Sequence, residues 1–194
     1  MTNQDSIDDT QTKIVRAAAR CLAQRGVRGL RMTDIGREAG VSSGLLYYHF
    51  ADRDGLLAAT LAHVNATAAA ERGAVAPDAR TALIDNLVDE IADEPEVREH
   101  AIAWQEITAS AVFDETLAAH LADSTGQWQQ RIANTLRATD PEDMAEHAAS
   151  NAAERAIIVT ALVDGFSQRW LTGRLTTDQA RELLRTALIA QIGS

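Results

Sequence analysis

The sequence predicts an all-α protein of about nine helices, and composition and punctuation carry that prediction. Hydrophobic residues make up 46% of the 194, yet aromatics only 4% and prolines three, while alanine, the best helix former, is very common. Along the chain, apolar residues recur at spacings of three and four between residues that cap or stop helices. The length suits one or two domains with a sizeable core.

Taken in order, residues 1–10 show no periodicity and are expected as a mobile tail. A first helix follows from about Thr12 to Gln24, with Ile14, Ala18, Cys21 and Leu22 on one stripe and Gly26 as its stop. Thr33 reads as the N-cap of a short second helix in which Met32, Ile35 and Ala39 fall at helical spacing. Gly40 suits a sharp turn, Val41 a buried plug, and Ser42 the next N-cap. In the third helix Leu46 and Phe50 face inward; Ser43, Leu45, Tyr47, Tyr48 and His49 are left outside. Asp52 then caps a fourth helix from Arg53 to about Arg72, through Leu56, Leu57, Leu61 and Val64, long enough to link two domains.

The stretch 73–77 is a breaker. Helix 5 is expected over Asp78 to Ala92, helix 6 over Glu96 to Val112 and helix 7 over Asp114 to Arg137. On helix 6 the stripe is Val97, Ala101, Trp104, Thr108 and Ala111; on helix 7 it is Leu117, Leu121, Ser124, Trp128 and Ile132. Asp140 reads as N-cap and Pro141 as the first position of helix 8, which runs to about Thr172 and ends at Gly173. Thr176 with Gln179 makes a capping box for helix 9, whose apolar face holds Ala180, Leu183, Leu184, Ala187 and Leu188.

The third helix is unusual for a surface helix. From Ser43 to Phe50 it holds no Lys, Glu or Asp, small residues at its start, two adjacent tyrosines and a histidine. Small residues let a helix approach a groove wall, and tyrosine hydroxyls donate to phosphate oxygens. With the Gly40-Val41-Ser42 turn, the pair of helices reads as a helix-turn-helix with Ser43–Phe50 as its recognition element. The net charge of −10 is no objection, because residues 11–64 hold eight basic against four acidic residues, whereas 65–194 hold ten against twenty-one. Positive charge is concentrated where DNA would lie.

From Lys13 to Leu57 the chain resembles the DNA-binding region of the TetR family of bacterial regulators. The resemblance is carried by Ile14, Ala18, Gly26, Thr33, Ile35, Ala39-Gly40-Val41-Ser42, Gly44, Leu46-Tyr47, His49-Phe50 and Leu56. It implies a DNA-binding domain over 11–55, joined by helix 4 (about 53–72) to an effector-binding and dimerisation domain over 56–194. Arg31, Thr33, Ser42, Ser43, Gly44, Tyr47, His49 and Arg53 are then expected near the DNA backbone, and Leu45 and Tyr48 at base edges or thymine methyl groups. Leu45 replaces a small polar residue and Ser43 a basic one common in the family; Gly36 stands where alanine is usual.

The segment Ala156 to Val163 is apolar almost all round and needs cover on more than one side. The resemblance implies that a second copy provides it. A homodimer would form through helices 8 and 9, including Ile157, Ile158, Leu183, Leu184 and Leu188, and face a near-palindromic operator in double-stranded DNA. The C-terminal part, with Ala161-Leu162-Val163-Asp164-Gly165-Phe166 and Trp170-Leu171-Thr172-Gly173, is similar to the choline/betaine-pathway repressor type. Trp104, Thr108, Trp128, Phe166 and Trp170 are candidates for an effector pocket, even an aromatic cage for a cation with Glu106 or Asp164 as counter-charge. The same tryptophans also read as core filler in an alanine-rich protein.

No zinc, nucleophile-elbow, phosphate-loop or dinucleotide motif is present, so no enzyme activity, metal or cofactor is expected. One cysteine, Cys21, excludes an intramolecular disulfide, and its stripe marks it as a buried small hydrophobe. No apolar run is long enough to span a membrane, and a cytoplasmic protein is expected. The function expected is a ligand-responsive repressor. An activator, a co-repressor-dependent regulator and a helical small-molecule binding protein without specific DNA binding are the alternatives.

Overall fold

The computed structural model describes residues 3–70, 78–139 and 145–193. Among the described residues there are nine helices and no strand: α1 (Asn3–Gly29), α2 (Met32–Ala39), α3 (Ser43–His49), α4 (Arg53–Ala70), α5 (Ala79–Val88), α6 (Pro95–Ala111), α7 (Glu115–Thr139), α8 (Ala145–Leu171) and α9 (Thr177–Ile192). The chain groups into two compact units, Met1–Thr67 with Ile102–Ser124, and Ala68–Ala101 with Thr125–Ser194. Helices α4, α6 and α7 each contribute residues to both units.

The first unit is built on α1, α2 and α3. Ile14, Ala18 and Leu22 of α1, Ile35 and Ala39 of α2, Leu46 of α3 and Leu56, Leu57 and Leu61 of α4 are almost fully buried. Each large one of these contributes about 1.5–3 kcal/mol relative to an exposed position. Arg20 pairs with Glu38 at 2.7 Å and Arg25 pairs with Asp34, so that two α1 arginines hold α2. These pairs are solvent-exposed in part and act as alignment more than as stability. Asn65 is buried, and its side-chain amide donates to the Ser124 carbonyl at 2.7 Å, which ties α4 to α7.

The helix expected over Thr12–Gln24 is longer at both ends. It starts at Asn3, so the segment expected as a tail is helical from there. At the other end Gly26, expected to stop the helix, instead kinks it, with φ 66 and ψ 172, and one more turn runs to Gly29. Thr33 is not the cap of α2. That position is Arg31, in extended conformation and without a side-chain cap, and Thr33 lies inside the first turn. The breaker at 73–77 and the Asp140-Pro141 start of helix 8 lie outside the described residues.

The second unit has one apolar cluster, to which α5 gives Ile84, Leu87 and Val88, α7 Ile132 and Leu136, α8 Ala156, Val159 and Val163, and α9 Leu184, Leu188 and Ile192. Its helix ends are well sealed. Asp78 accepts from the Arg80 and Thr81 amides of α5, and both arms of the Thr176/Gln179 box close on α9. Arg155 donates to the carbonyls of Gln191 and Ile192 at 2.8 and 3.0 Å, satisfying acceptors that the end of α9 leaves open. Arg181 reaches the Ile91 carbonyl at 2.7 Å and the Asp89 carboxylate at 2.8 Å.

On α8 and α9 the expected apolar residues divide into two faces. Ile157, Ile158, Leu183 and Ile189 are exposed, whereas Leu184 and Leu188 are fully buried in the chain's own core. Leu184 and Leu188 are therefore core residues and not available to a second subunit, a correction to the sequence expectation. A residue beside its neighbour on a helix turns by about 100°, which moves it from one face to the other. On α6, the buried residues are Ala103, Trp104 and Ile107, so the true stripe runs one position away from the expected one except at Trp104. No helix among the described residues is long and apolar enough to cross a membrane.

Candidate nucleic-acid interface

The turn between α2 and α3 is set by backbone geometry. Gly40 has φ 65 and ψ 36, the left-handed region in which a side chain is strained, and its amide donates to Arg37 O at 3.2 Å. The Val41 amide closes on Gly36 O at 2.9 Å. A Cβ at Gly36 would stand 3.2 Å from the Val41 carbonyl oxygen, a tight contact that a shift of a few tenths of an ångström would relieve. Ser42 then caps α3 as expected, its Oγ accepting from the Leu45 amide at 3.2 Å.

One face of α3 is anchored and the other is bare. Leu46 and Phe50 are buried, while Leu45, Tyr47 and Tyr48 are 39%, 52% and 75% exposed. Tyr48 is mostly exposed and Tyr47 about half exposed, so both hydroxyls are available at the surface. The Tyr48 and His49 rings stand edge to face at 5.3 Å, which limits the freedom of both. Arg31, Thr33, Ser42, Ser43 and Gly44 are exposed, and His49 is half-buried. The structure thus brings eight of the ten expected DNA-binding residues to the surface of the α2–α3 pair.

This is the geometry of a helix-turn-helix that offers apolar, hydroxyl and aromatic groups to a groove. Residues 14–60 match the sequence model described as bacterial regulatory proteins of the TetR family, and residues 80–193 match the one described as the C-terminal part of BetI-type transcriptional repressors. The chain belongs to the TetR family.

A chain from Rhodococcus sp. assigned to the TetR-family regulators is 40% identical, with a TM-score of 0.85, covering 96% of this chain and all of its own. The HTH-type transcriptional regulator BetI of Ectopseudomonas mendocina is 27% identical over 192 residues, 94% of this chain and 93% of the relative. A transcriptional regulator from Saccharomonospora viridis, solved in complex with choline, is 24% identical with a TM-score of 0.67, covering 94% of this chain and 96% of its own. The TetR-family chain is a DNA-binding transcriptional regulator and not an enzyme.

Arg53 stands apart from the other expected DNA contacts of this regulator. It is half-buried, and its guanidinium donates to the Val27 carbonyl at 2.5 Å, beside the α1 kink. The amide of the same Val27 donates to Oε2 of Glu106, on α6, at 3.2 Å. Sequence reading considered Glu106 only as a counter-charge for a ligand; a contact across 79 residues leaves no local signal.

The five expected effector residues do not form one group. Trp128, Phe166 and Trp170 pack with the apolar cluster of the second unit. Trp170 is fully engaged there: its Nε1 donates to Thr177 Oγ1 at 3.0 Å, and Arg98 stacks over its ring at 5.1 Å. The face that a cationic ligand would use is occupied by the protein's own guanidinium. Trp104 and Thr108 stand one turn apart on α6 in the first unit, and the buried Thr108 Oγ1 finds no hydrogen-bond partner among the described residues. Cys21 is buried, and burial first, then the Glu38 charge, raises its pKa, so the thiol stays protonated as expected of a small core residue. No group of three or more potential metal ligands exists among the described residues.

Proposed function

We propose that the chain is a homodimeric repressor that a small-molecule effector releases from a near-palindromic operator. The observation that carries this reading is the α3 surface: Leu45, Tyr47 and Tyr48 exposed on a helix pinned by buried Leu46 and Phe50. Tyr47, with Arg31, Thr33, Ser42, Ser43, Gly44 and His49, would hold the sugar-phosphate backbone. Leu45 and Tyr48 would read base edges and thymine methyl groups. Ile157, Ile158, Leu183 and Ile189 form an exposed apolar set on α8 and α9 that a second copy would cover, and a two-fold dimer would present two recognition helices to a near-palindromic operator. The working compartment is the cytoplasm.

The effector is read as a small organic cation. The support is twofold: the choline-bound regulator from Saccharomonospora viridis shares this fold, and the Thr108 Oγ1, one helical turn from the buried Trp104, has no hydrogen-bond partner among the described residues. Trp128, Phe166 and Trp170 belong to the apolar cluster of the second unit and are not part of this site, and the Trp170 ring is already stacked. For release, the effector must bind the DNA-free state better by about 1–3 kcal/mol.

Selection of genomic fragments by the purified protein at near-physiological salt tests the reading, because salt suppresses the non-specific phosphate contribution. The expected outcome is a small set of fragments sharing an inverted repeat, lost with Tyr48→Ala while fold and dimer persist. Fragments with no shared repeat, or retention of them by Tyr48→Ala, would refute it.

A further inference from the structure

We propose that Glu106 is a positioning residue for DNA binding, which fixes Arg53 and the first turn of α4 through the peptide groups of Val27. The inference rests on the DNA-binding reading of α3 and adds a residue that lies outside the DNA-facing surface. Val27 is gripped from both sides: its N–H donates to Glu106 Oε2 at 3.2 Å and its C=O accepts from Arg53 at 2.5 Å. Glu106 lies in α6, Val27 in the turn after the α1 kink, and Arg53 is the first residue of α4. Three helices distant in sequence thus meet on one residue.

The fit is close. A Cβ on Gly26 would come within 2.5 Å of the Glu106 carboxylate, so glycine suits this position both for φ 66 and for the present seat of that carboxylate beside the Val27 amide. The kink has a purpose in this arrangement: it turns the Val27 amide out of the helix ladder, free to meet a carboxylate. A charged acceptor makes the stronger kind of hydrogen bond, about twice a neutral one. On the other side, Asp52 caps α4 through the Gly55 amide at 2.8 Å, and only Phe50, Ala51 and Asp52 separate α3 from α4. Setting Arg53 therefore sets the C-terminal end of the recognition helix. Glu106 and Gly26 also border an open cleft of about 480 Å³ with Ile102 and Phe113, so the carboxylate is not walled in on that side. Moving α6 would pull on Val27, and Val27 on Arg53.

This arrangement competes with a direct role for Arg53 at a phosphate, and salt dependence separates the two. Operator affinity is measured from 50 to 200 mM salt for the wild type, Glu106→Ala, Glu106→Gln, Arg53→Gln and the Glu106→Ala/Arg53→Gln pair. Positioning predicts that Glu106→Ala weakens specific binding by about tenfold, within the usual range for coupled sites. Removal of a carboxylate near DNA would do the opposite if only charge mattered. Glu106→Gln keeps an oxygen acceptor and should bind within about twofold of the wild type. Arg53→Gln should leave the slope of log K against log salt unchanged and add little to Glu106→Ala. A slope reduced by about 0.9 with independent, additive losses would mean a phosphate contact and overturn the proposal. So would wild-type or tighter binding by Glu106→Ala.

Amide exchange on the protein alone keeps the test independent of the operator. In Glu106→Ala the Val27, Leu56 and Leu57 amides should exchange faster than in the wild type while those of Leu184 and Leu188 do not change; unchanged Val27 and α4 amides would overturn the proposal. If the wild type selects no operator, the operator reading fails and the DNA-binding role of Glu106 with it, while the exchange result still decides whether Glu106 fixes Val27 and the first turn of α4. Val27→Pro removes the same N–H while its fixed φ suits the first helical position after a kink, and it should reproduce the exchange at Leu56 and Leu57.

Discussion

Asp78 shows how one side chain fixes an element and ties it to pH. Its carboxylate accepts from the Thr81 and Arg80 amides and from the Thr81 hydroxyl, and these bonds, the Thr81 amide first, hold its pKa below the ordinary carboxylate value of about 3.9. A group with a depressed folded value stabilises the fold above its unfolded value and loses that contribution as pH falls through the folded one. The difference in Tm between the wild type and Asp78→Ala is therefore expected to be widest near neutral pH and to close below about pH 4. A gap that stayed constant down to pH 2.5 would show that the cap does not depend on charge.

Whole elements were legible where the signal is local. The Gly40 turn, the Ser42 cap of α3 and the Thr176/Gln179 box of α9 are each written in two to four adjacent residues, and all three form. Orientation was legible less often. Leu183 and Leu184 are equally apolar in the sequence, yet one is 48% exposed and the other wholly buried, because α9 packs on α5 and α8 through a stripe that periodicity locates only to within one position. The α1 extension to Asn3 and the kink at Gly26 were missed for a related reason: a polar, acidic stretch and a glycine each suggest an end, and tertiary contact with Glu106 keeps the second from being one.

The difference between neighbours on α9 can be tested. Replacing Leu183 and Ile157 together by Glu should leave a folded monomer in sedimentation at concentrations where the wild type is a dimer, since both charges would have to be buried in the interface. Leu184→Ala should instead lower stability by about 2–5 kcal/mol and keep the wild-type stoichiometry in the folded fraction. A monomer from Leu184→Ala with unchanged stability, or a dimer from the double variant, would place the interface elsewhere.

At the scale of the molecule, the uneven charge and the uneven hydrogen bonding describe one machine. Residues 11–64 are net basic and carry the recognition surface, while the acidic remainder carries the apolar α8–α9 face. What joins the two is the set of helices α4, α6 and α7, which contribute to both compact units. A ligand that touches Trp104 and Thr108 acts on the turn of α6 that also carries Glu106, which accepts from the Val27 amide. Thermodynamic linkage then makes a numerical demand. With choline as the probe, titration followed by tryptophan fluorescence should give a dissociation constant that rises on adding operator by the same factor by which choline weakens operator binding, about 5–150-fold for ordinary coupling. Thr108→Val should raise the choline constant in both titrations and leave operator affinity without choline unchanged. Equal choline affinity with and without operator would mean that binding at α6 does not distinguish the two states, and release by an organic cation would then be ruled out.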